Sequence, residues 1–393
     1  MLCDQTLCTG CRACENKCPT KALTMKEDRE GFLRPFLDES LCIHCGRCET
    51  ICPILNIPFF SLSRREPETF ACWSLDETIR ERSSSGGVFS LLAREILKDG
   101  GVVFGASFDE ELRVRHTYIE DFEKIDGLRR SKYVQSDTGN SYQQVETFLK
   151  TGRPVLFVGS PCQVAGLASF LGQSYENLLT LTFICYGVPS PKVFKAYIRH
   201  REEEQKERVS AVSFRDKRSS GWSNCAMCLE YQNGTRLIHP LKEDPYYVGF
   251  GRNLFTRPSC FECRFRHPNT PSDITMGDFW GADRLEGLRA TDDRGVSLVL
   301  THTPKGEEGL KKIAPFMFIQ RRSFQDALAY NPRLMNSSAR PAKRHRFFEE
   351  FGQDMDFSRL IQRYMKNTGW KAEIKKRMKA LLGEGMIKRL RRE

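Results

Sequence analysis

Cys8, Cys11, Cys14 and Cys18 recur as Cys42, Cys45, Cys48 and Cys52, each displaced by 34 residues, and each run is closed by a proline, Pro19 and Pro53. No other feature restricts the chain as tightly. Both runs read C-x2-C-x2-C-x3-C. Three thiolates spaced two residues apart on one loop can grip one face of an iron–sulfur cube, while the proline turns the chain away after the fourth. A structural zinc site wants four ligands in two pairs and needs neither the third Cys nor the proline. The spacing points to two [4Fe–4S] clusters with crossed ligation. Cys8, Cys11, Cys14 and Cys52 surround one; Cys42, Cys45, Cys48 and Cys18 surround the other. Between the runs, ALTMKEDREGFLRPFLD reads as a β-hairpin with Gly31 near its bend.

This is the spacing of bacterial two-cluster ferredoxins. The chain has 393 residues and 16 cysteines, too few for a secreted disulfide scaffold, and nine of them lie in the first 52 residues. Clustering of that kind argues for metal ligation in a reducing compartment. No apolar run approaches the ~18–20 residues of a membrane span, and MLCDQTLCTG has no signal-peptide core. The expectation is a soluble, cytosolic protein. Its net charge is +11, and because residues 1–57 are close to neutral the excess lies on the remainder.

Residues 58–69 (PFFSLSRREPET) read as a linker. Beyond them, helix-like and strand-like stretches alternate. VFSLLAREILK is helical with Gly100 as its stop, and GGVVFGASF is a strand. VLFVG (155–159) is a strand followed by Ser160-Pro161 as cap and first turn of a helix. LLTLTFI (178–184) is a strand followed, after Pro189 and Pro191, by a helix to about Glu207; VSLVLTHT (296–303) adds another strand. Such alternation gives an α/β domain with a partly parallel sheet. Ser83-Ser84-Ser85-Gly86-Gly87 precedes a helix, where hydroxyls and free amides suit a phosphate; a flexible cap would look the same.

A scattered set of cysteines carries the second chemical signal. Cys162 and Cys185 directly follow strands 155–159 and 178–184, which places both at the carboxyl edge of a parallel sheet. Cys260 and Cys263 form a C-x2-C pair. Together they make a candidate third [4Fe–4S] site. Two other readings stay open at this point. Cys225 and Cys228 with Cys260 and Cys263 have the form of a zinc ribbon, although SNCAMCLEYQNGTRLIH reads as a hairpin, in which Cys225 and Cys228 point to opposite faces. Cys162 alone, at a helix N-terminus, has the setting of a low-pKa nucleophile.

The segments RSSSGGVFS, SKYVQS, GSPCQVAGL, CYGVPSP, FRDKRSSGW, RPSCFECRF and DITMGDFWG, in that order over about residues 70–300, resemble the coenzyme F420 hydrogenase/dehydrogenase beta-subunit family. An N-terminal dicluster module is a common fusion to that core. The resemblance implies FAD beside a [4Fe–4S] cluster. It makes Ser84, Ser85, Gly86, Gly87, Lys132 and Tyr133 the flavin-site candidates, and Cys162, Cys185, Cys260 and Cys263 the third cluster's ligands. Relatives often read C-H-G where this chain has Cys185-Tyr186-Gly187, which leaves the substrate open. The implied activity is an iron–sulfur flavoprotein oxidoreductase, serving a small-molecule substrate or soluble hydride carrier and a redox partner protein. An adaptor subunit without its own substrate site, and a zinc-stabilised scaffold, are the competing classes.

The expected plan is α+β and α/β: a ferredoxin-like module (1–57), a linker (58–69), a mixed α/β flavin and iron–sulfur domain (70–335) and a basic helical tail (336–393). Residues 371–393 hold nine Lys/Arg against three Glu, with Ile374, Met378, Leu381 and Leu382 at helical spacing. That tail suits a helix packed on the body, an anionic membrane surface or an acidic protein partner. Nucleic acid is not expected, since no base-reading motif accompanies the charge.

Overall fold

A computed structural model describes residues 2–58, 66–288, 292–352 and 356–364. The strands run in chain order β1 (Leu23–Glu27), β2 (Leu33–Leu37), β3 (Glu68–Ser74), β4 (Val102–Phe108), β5 (Val114–Ile119), β6 (Val155–Gly159), β7 (Leu178–Phe183), β8 (Val209–Asp216), β9 (Ala226–Tyr231), β10 (Arg236–Pro240), β11 (Ile274–Asp278), β12 (Ser297–Thr301) and β13 (Met317–Arg322). Eight of them form one sheet in the order β13-β3-β12-β11-β7-β6-β4-β5. Its centre is parallel: β4 pairs with β6, β6 with β7 and β7 with β11, in registers such as Val102↔Val155 and Val155↔Leu178. The flanking pairs are antiparallel.

Strand alternation explains why this sheet is covered on both faces. Val103 and Leu156 point into one core with Leu91 and Leu92 of the helix Val88–Lys98 and Leu310 and Ile313 of Pro304–Ile313. Val102, Phe104, Val155 and Phe157 point the other way, onto Tyr142, Val145 and Leu149 of Ser141–Lys150 and Val164 and Leu167 of Pro161–Leu171. Ser160 caps the last helix through a reciprocal bond pattern with Gln163, with Pro161 in its first turn. The loops leaving β6 and β7 therefore open at the carboxyl edge of the sheet. A second core, rich in aromatics, joins the β8–β9–β10 sheet to the helix Pro191–Gln205 and to Phe347, Phe357, Leu360 and Tyr364.

The hairpin β1–β2 turns through Gly31 at φ +87°, as its sequence implies. The module it belongs to does not stand apart. Cys11 and Ala13 are members of the core formed with β4 and β6. Arg344 clamps Glu30 with two bonds of 2.9 and 2.6 Å, and Arg12 donates to Asp137 at 2.9 Å.

Two expected boundaries move. The linker 58–69 overlaps β3, which already begins at Glu68. The tail expected from 336 is in its first part structural, because Phe347 and residues 357–364 fill the aromatic core. The basic stretch 371–393 lies outside the described residues. No helix among those described is long and apolar enough to cross a membrane.

Candidate functional site

The two cysteine runs repeat in backbone as well as in sequence. Gly10 and Arg12 adopt left-handed φ values of 70° and 64°; 34 residues on, His44 and Gly46 do so at 52° and 70°. Each pair leads into a short helix, Ala13–Lys17 and Arg47–Thr50. Alternating left- and right-handed residues aim successive amides at one point, a concavity suited to anionic sulfur. His44 N, for example, donates to Cys42 Sγ at 3.4 Å.

Thiols of the two runs meet across the repeat. Cys8, Cys11, Cys14 and Cys52 line one cavity, and Cys14 experiences the charges of the other three. Cys48 experiences Cys45 and Cys18 instead. In the first set Cys8 and Cys11 are buried and Cys14 and Cys52 partly so; in the second none is buried and Cys45 is exposed. Gly166 lies so close to the inner set that a Cβ there would sit 3.0 Å from Cys11 Sγ. One neighbour was not singled out by spacing: Cys3 shares the inner cavity and contacts Cys8 and Cys52.

At the carboxyl edge of the sheet, Cys162, Cys185, Cys260 and Cys263 line a single small cavity with Thr9, Ile54 and Arg257. All four are free thiols. Burial pushes Cys260 up to about 12 and raises Cys162 and Cys185 as well. Donors stand ready for the charged form. Gly187 N meets Cys185 Sγ and Val188 N meets Cys260 Sγ at 3.4 Å each, with Ser160 Oγ 3.2 Å from Cys162 Sγ. Four converging thiols with amide donors fit an iron–sulfur cluster. The zinc-ribbon grouping is not assembled. Cys228 sits on β9 opposite Ser213 and Ile238, and Cys225 accepts from Arg215 Nε, away from the Cys260/Cys263 cavity. The nucleophile reading also loses ground, because burial moves Cys162 away from a low pKa.

Beside this set lies a larger cavity of about 260 Å³. Its floor is the carboxyl end of the parallel strands, from Gly105 and Ala106 of β4 through Val158 and Gly159 of β6 and Phe183 of β7 to Met276–Asp278 of β11. One wall is polar and basic: Ser83–Ser85 face Arg129, Arg130 and Lys132, tied together where Ser131 N donates to Ser84 Oγ at 2.9 Å. Lys132 Nζ donates to Arg129 O at 2.8 Å, and burial together with Arg130 lowers it to about 7. Tyr133 lines the cavity with its ring against Phe214, Tyr247 and Phe250.

Gly86 and Gly87 stand differently toward the cavity. Gly86 does not line it; its amide donates to Ser297 Oγ, and a Cβ would lie 2.4 Å from Cys72 O, so the protein's own strands crowd it. Gly87 does line the cavity, and at φ +96° it also caps the helix Val88–Lys98, with Ile79 and Ser74 close behind it.

Residues 69–141 and 152–325 match the two halves of the coenzyme F420 hydrogenase/dehydrogenase beta subunit, its N-terminal and C-terminal models, and residues 7–55 match the 4Fe-4S dicluster domain. The chain belongs to the coenzyme F420 hydrogenase/dehydrogenase beta-subunit family. It carries a [4Fe–4S]-binding domain ahead of the family core. Among solved structures it is similar, at 17% identity and a TM-score of 0.46, to a chain of the F420-reducing [NiFe] hydrogenase complex from Methanosarcina barkeri in a xenon-derivatised form. That match covers 70% of this chain and 90% of the other. No curated protein sequence matches it.

His116 of this cavity lay in no motif, and Asp278 and Trp280, although inside the DITMGDFWG segment, were not singled out as site residues. His116, on β5, is neutral: burial lowers it to about 4. Its Nε2 meets Val158 O at 3.0 Å and so carries the proton, leaving Nδ1 to accept from Ser136 Oγ at 2.7 Å. Trp280 stacks on Trp222 at 4.9 Å, and Trp222 Nε1 donates to Asp278 at 2.7 Å. Asp278 is ion-paired with Arg215. Only the pairing of distant strands reveals them, since they arrive from β5, β8, β11 and the loops between.

Proposed function

We propose that the chain is an iron–sulfur flavoprotein oxidoreductase that passes electrons between a redox partner protein and a small soluble hydride carrier through FAD. One observation carries this reading: the four candidate sites stand in a row, each sharing walls with the next. Cys48, from the exposed set, borders the cavity of Cys8, Cys11, Cys14 and Cys52. Thr9 and Ile54 border both that cavity and the one of Cys162, Cys185, Cys260 and Cys263. Cys185, Gly187 and Val188 border both the latter and the large cavity. Three clusters would be held by the twelve cysteines, and the flavin by the large cavity.

FAD supplies the exchange between single electrons and hydride pairs when bound. The chain's own residues suit its two ends. Arg130, Lys132 and the Ser84 hydroxyl would meet the pyrophosphate. Val158, Phe183, Ile184 and Met276, next to Cys185, offer an apolar bed for a flat ring. Tyr186, 41% exposed, and Trp280 flank the mouth and would receive a planar carrier. Tyr186 cannot supply the imidazole that relatives often carry there.

Gly105 gives the test. It lines the cavity, and a Cβ on it meets only the Leu128 side chain, at 3.6 Å. Gly105→Leu is expected to lose most of its flavin after gel filtration while keeping its iron. Full flavin retention would place the cofactor elsewhere. Anaerobic turnover with viologen dye and a deazaflavin or nicotinamide separates the enzyme from an adaptor, which would show none.

A further inference from the structure

Arg257 is 1% exposed and among the largest side chains shut away from solvent. Its Nε donates to Cys8 O at 2.9 Å, Nη2 to Leu33 O at 2.9 Å and Nη1 to Gln135 Oε1 at 2.8 Å. Nη2 also lies 3.9 Å from Cys8 Sγ, and the guanidinium sits 5.3 Å from the Phe32 ring. All these partners are neutral groups or a thiol. Among the described residues no carboxylate pairs with it.

Its neighbour Arg34 makes the contrast clear. Arg34 also donates to Cys8 O, at 3.0 Å, but it has Asp28 at 3.0 Å as a conventional partner. A buried cation left without an anion costs several kcal/mol, and folds keep one only where something nearby compensates. The groups that surround Arg257 and become anionic on binding iron are thiols of two different sets. Cys8 is on one side; Cys162 and Cys260, whose cavity Arg257 also lines, are on the other.

We propose that Arg257 is the shared counter-ion of the inner ferredoxin-type cluster and the sheet-edge cluster, holding the reduction potentials of both above the value their burial would otherwise give. A [4Fe–4S] centre gains negative charge on reduction, and net charge with hydrogen bonding to sulfur sets its potential. A fixed positive charge touching both sets favours the reduced state of both. It also biases electrons toward the pair of buried sites next to the large cavity and away from the exposed Cys18, Cys42, Cys45 and Cys48 set. This rests on the cluster assignment proposed above.

The test is a potentiometric titration of the full chain followed by electron paramagnetic resonance, with iron counted on the same samples. Arg257→Gln keeps a donor and removes the charge. Both buried clusters are expected to become harder to reduce by at least tenfold in equilibrium constant, about 59 mV for a one-electron couple, while the exposed cluster stays unchanged. Arg257→Lys should restore most of the shift. Should Arg257→Gln fail to load iron, Gln135→Glu places a carboxylate against Nη1 with little change in shape and should produce the same double fall. Arg34→Gln is the control and should leave the sheet-edge cluster unmoved. Full iron with unmoved potentials, or a shift confined to one cluster, overturns the proposal. A wild-type chain with about eight irons in place of about twelve would overturn the cluster assignment itself, and the counter-ion with it.

Discussion

The two copies of the cysteine repeat share spacing and left-handed backbone positions, yet their surroundings differ throughout. The inner set has Cys8 and Cys11 at 8% and 9% exposure, packed against Gly166 and the buried Tyr142. The outer set holds an exposed Cys45, and Leu41 and Ile43 on either side of Cys42 are 50% and 62% exposed. One local code therefore produces two environments. Spacing selects the candidate ligands; docking onto the sheet decides which set meets solvent.

The strongest way to break this comparison is to remove the fourth ligand of each set. Cys52→Ala should cost the inner cluster and Cys18→Ala the outer one, about four irons each, read by iron content and by which paramagnetic signal disappears. If Cys52→Ala instead abolishes the signal that depends on Cys45, the crossing is wrong.

A comparable loss tests the set that has no repeat to define it. Cys260→Ser should remove about four irons and leave the ferredoxin-type signals in place, whereas Cys225→Ser should remove none. The opposite result would restore the zinc-ribbon grouping.

Exposure itself predicts a difference in rate. Under a chelator in air the outer cluster should bleach first, because attack follows access to solvent. Equal rates for the two copies, followed by absorbance and iron release, would mean that burial of the inner set does not protect it.

Smaller effects separate packing from ligand binding in the large cavity. Gly87→Val forces a branched side chain into φ +96° with its Cβ 3.0 Å from Ile79, a strain of about 1–3 kcal/mol. It should lower the melting temperature even in flavin-free protein. An unchanged melt would show that the fold absorbs the side chain and leave Gly87 with a place in the cavity wall only.

The last prediction concerns Lys132, which ionises at about 7 in the folded chain against an ordinary 10.5. Between those values the unfolded chain binds the extra proton, so its contribution to stability rises with pH across that window. Lys132→Met should flatten the dependence of melting temperature on pH between about 7 and 10.5. A slope identical to wild type would show that burial does not govern this lysine.

Much of the protein was legible from spacing alone. The eight ligand candidates of the two runs, the β1–β2 turn at Gly31, the Ser160–Pro161 helix start and the strands 155–159 and 178–184 all follow from local chemistry: chain geometry, cap preference and apolar runs act over a few residues. Cys162, Cys185, Cys260 and Cys263 stayed open beside a zinc-ribbon grouping until the family resemblance was added. The packing of Gly86 against its own strands was not legible, since a glycine beside a phosphate and a glycine beside another strand look alike in sequence. Nor was the place of His116, Asp278 and Trp280 in the site, although the last two lie in DITMGDFWG; they share a cavity only because β4, β6, β7 and β11 align their ends. Arg257 is the sharpest case. Nothing around it in RPSCFECRF signals a buried cation, and its meaning depends on Cys8, Leu33 and Gln135, which reach it from far along the chain. Ligand identity is a short-range property that a sequence can spell out. Burial, charge compensation and the order of sites are sums over distant neighbours, and only the packed chain brings those together.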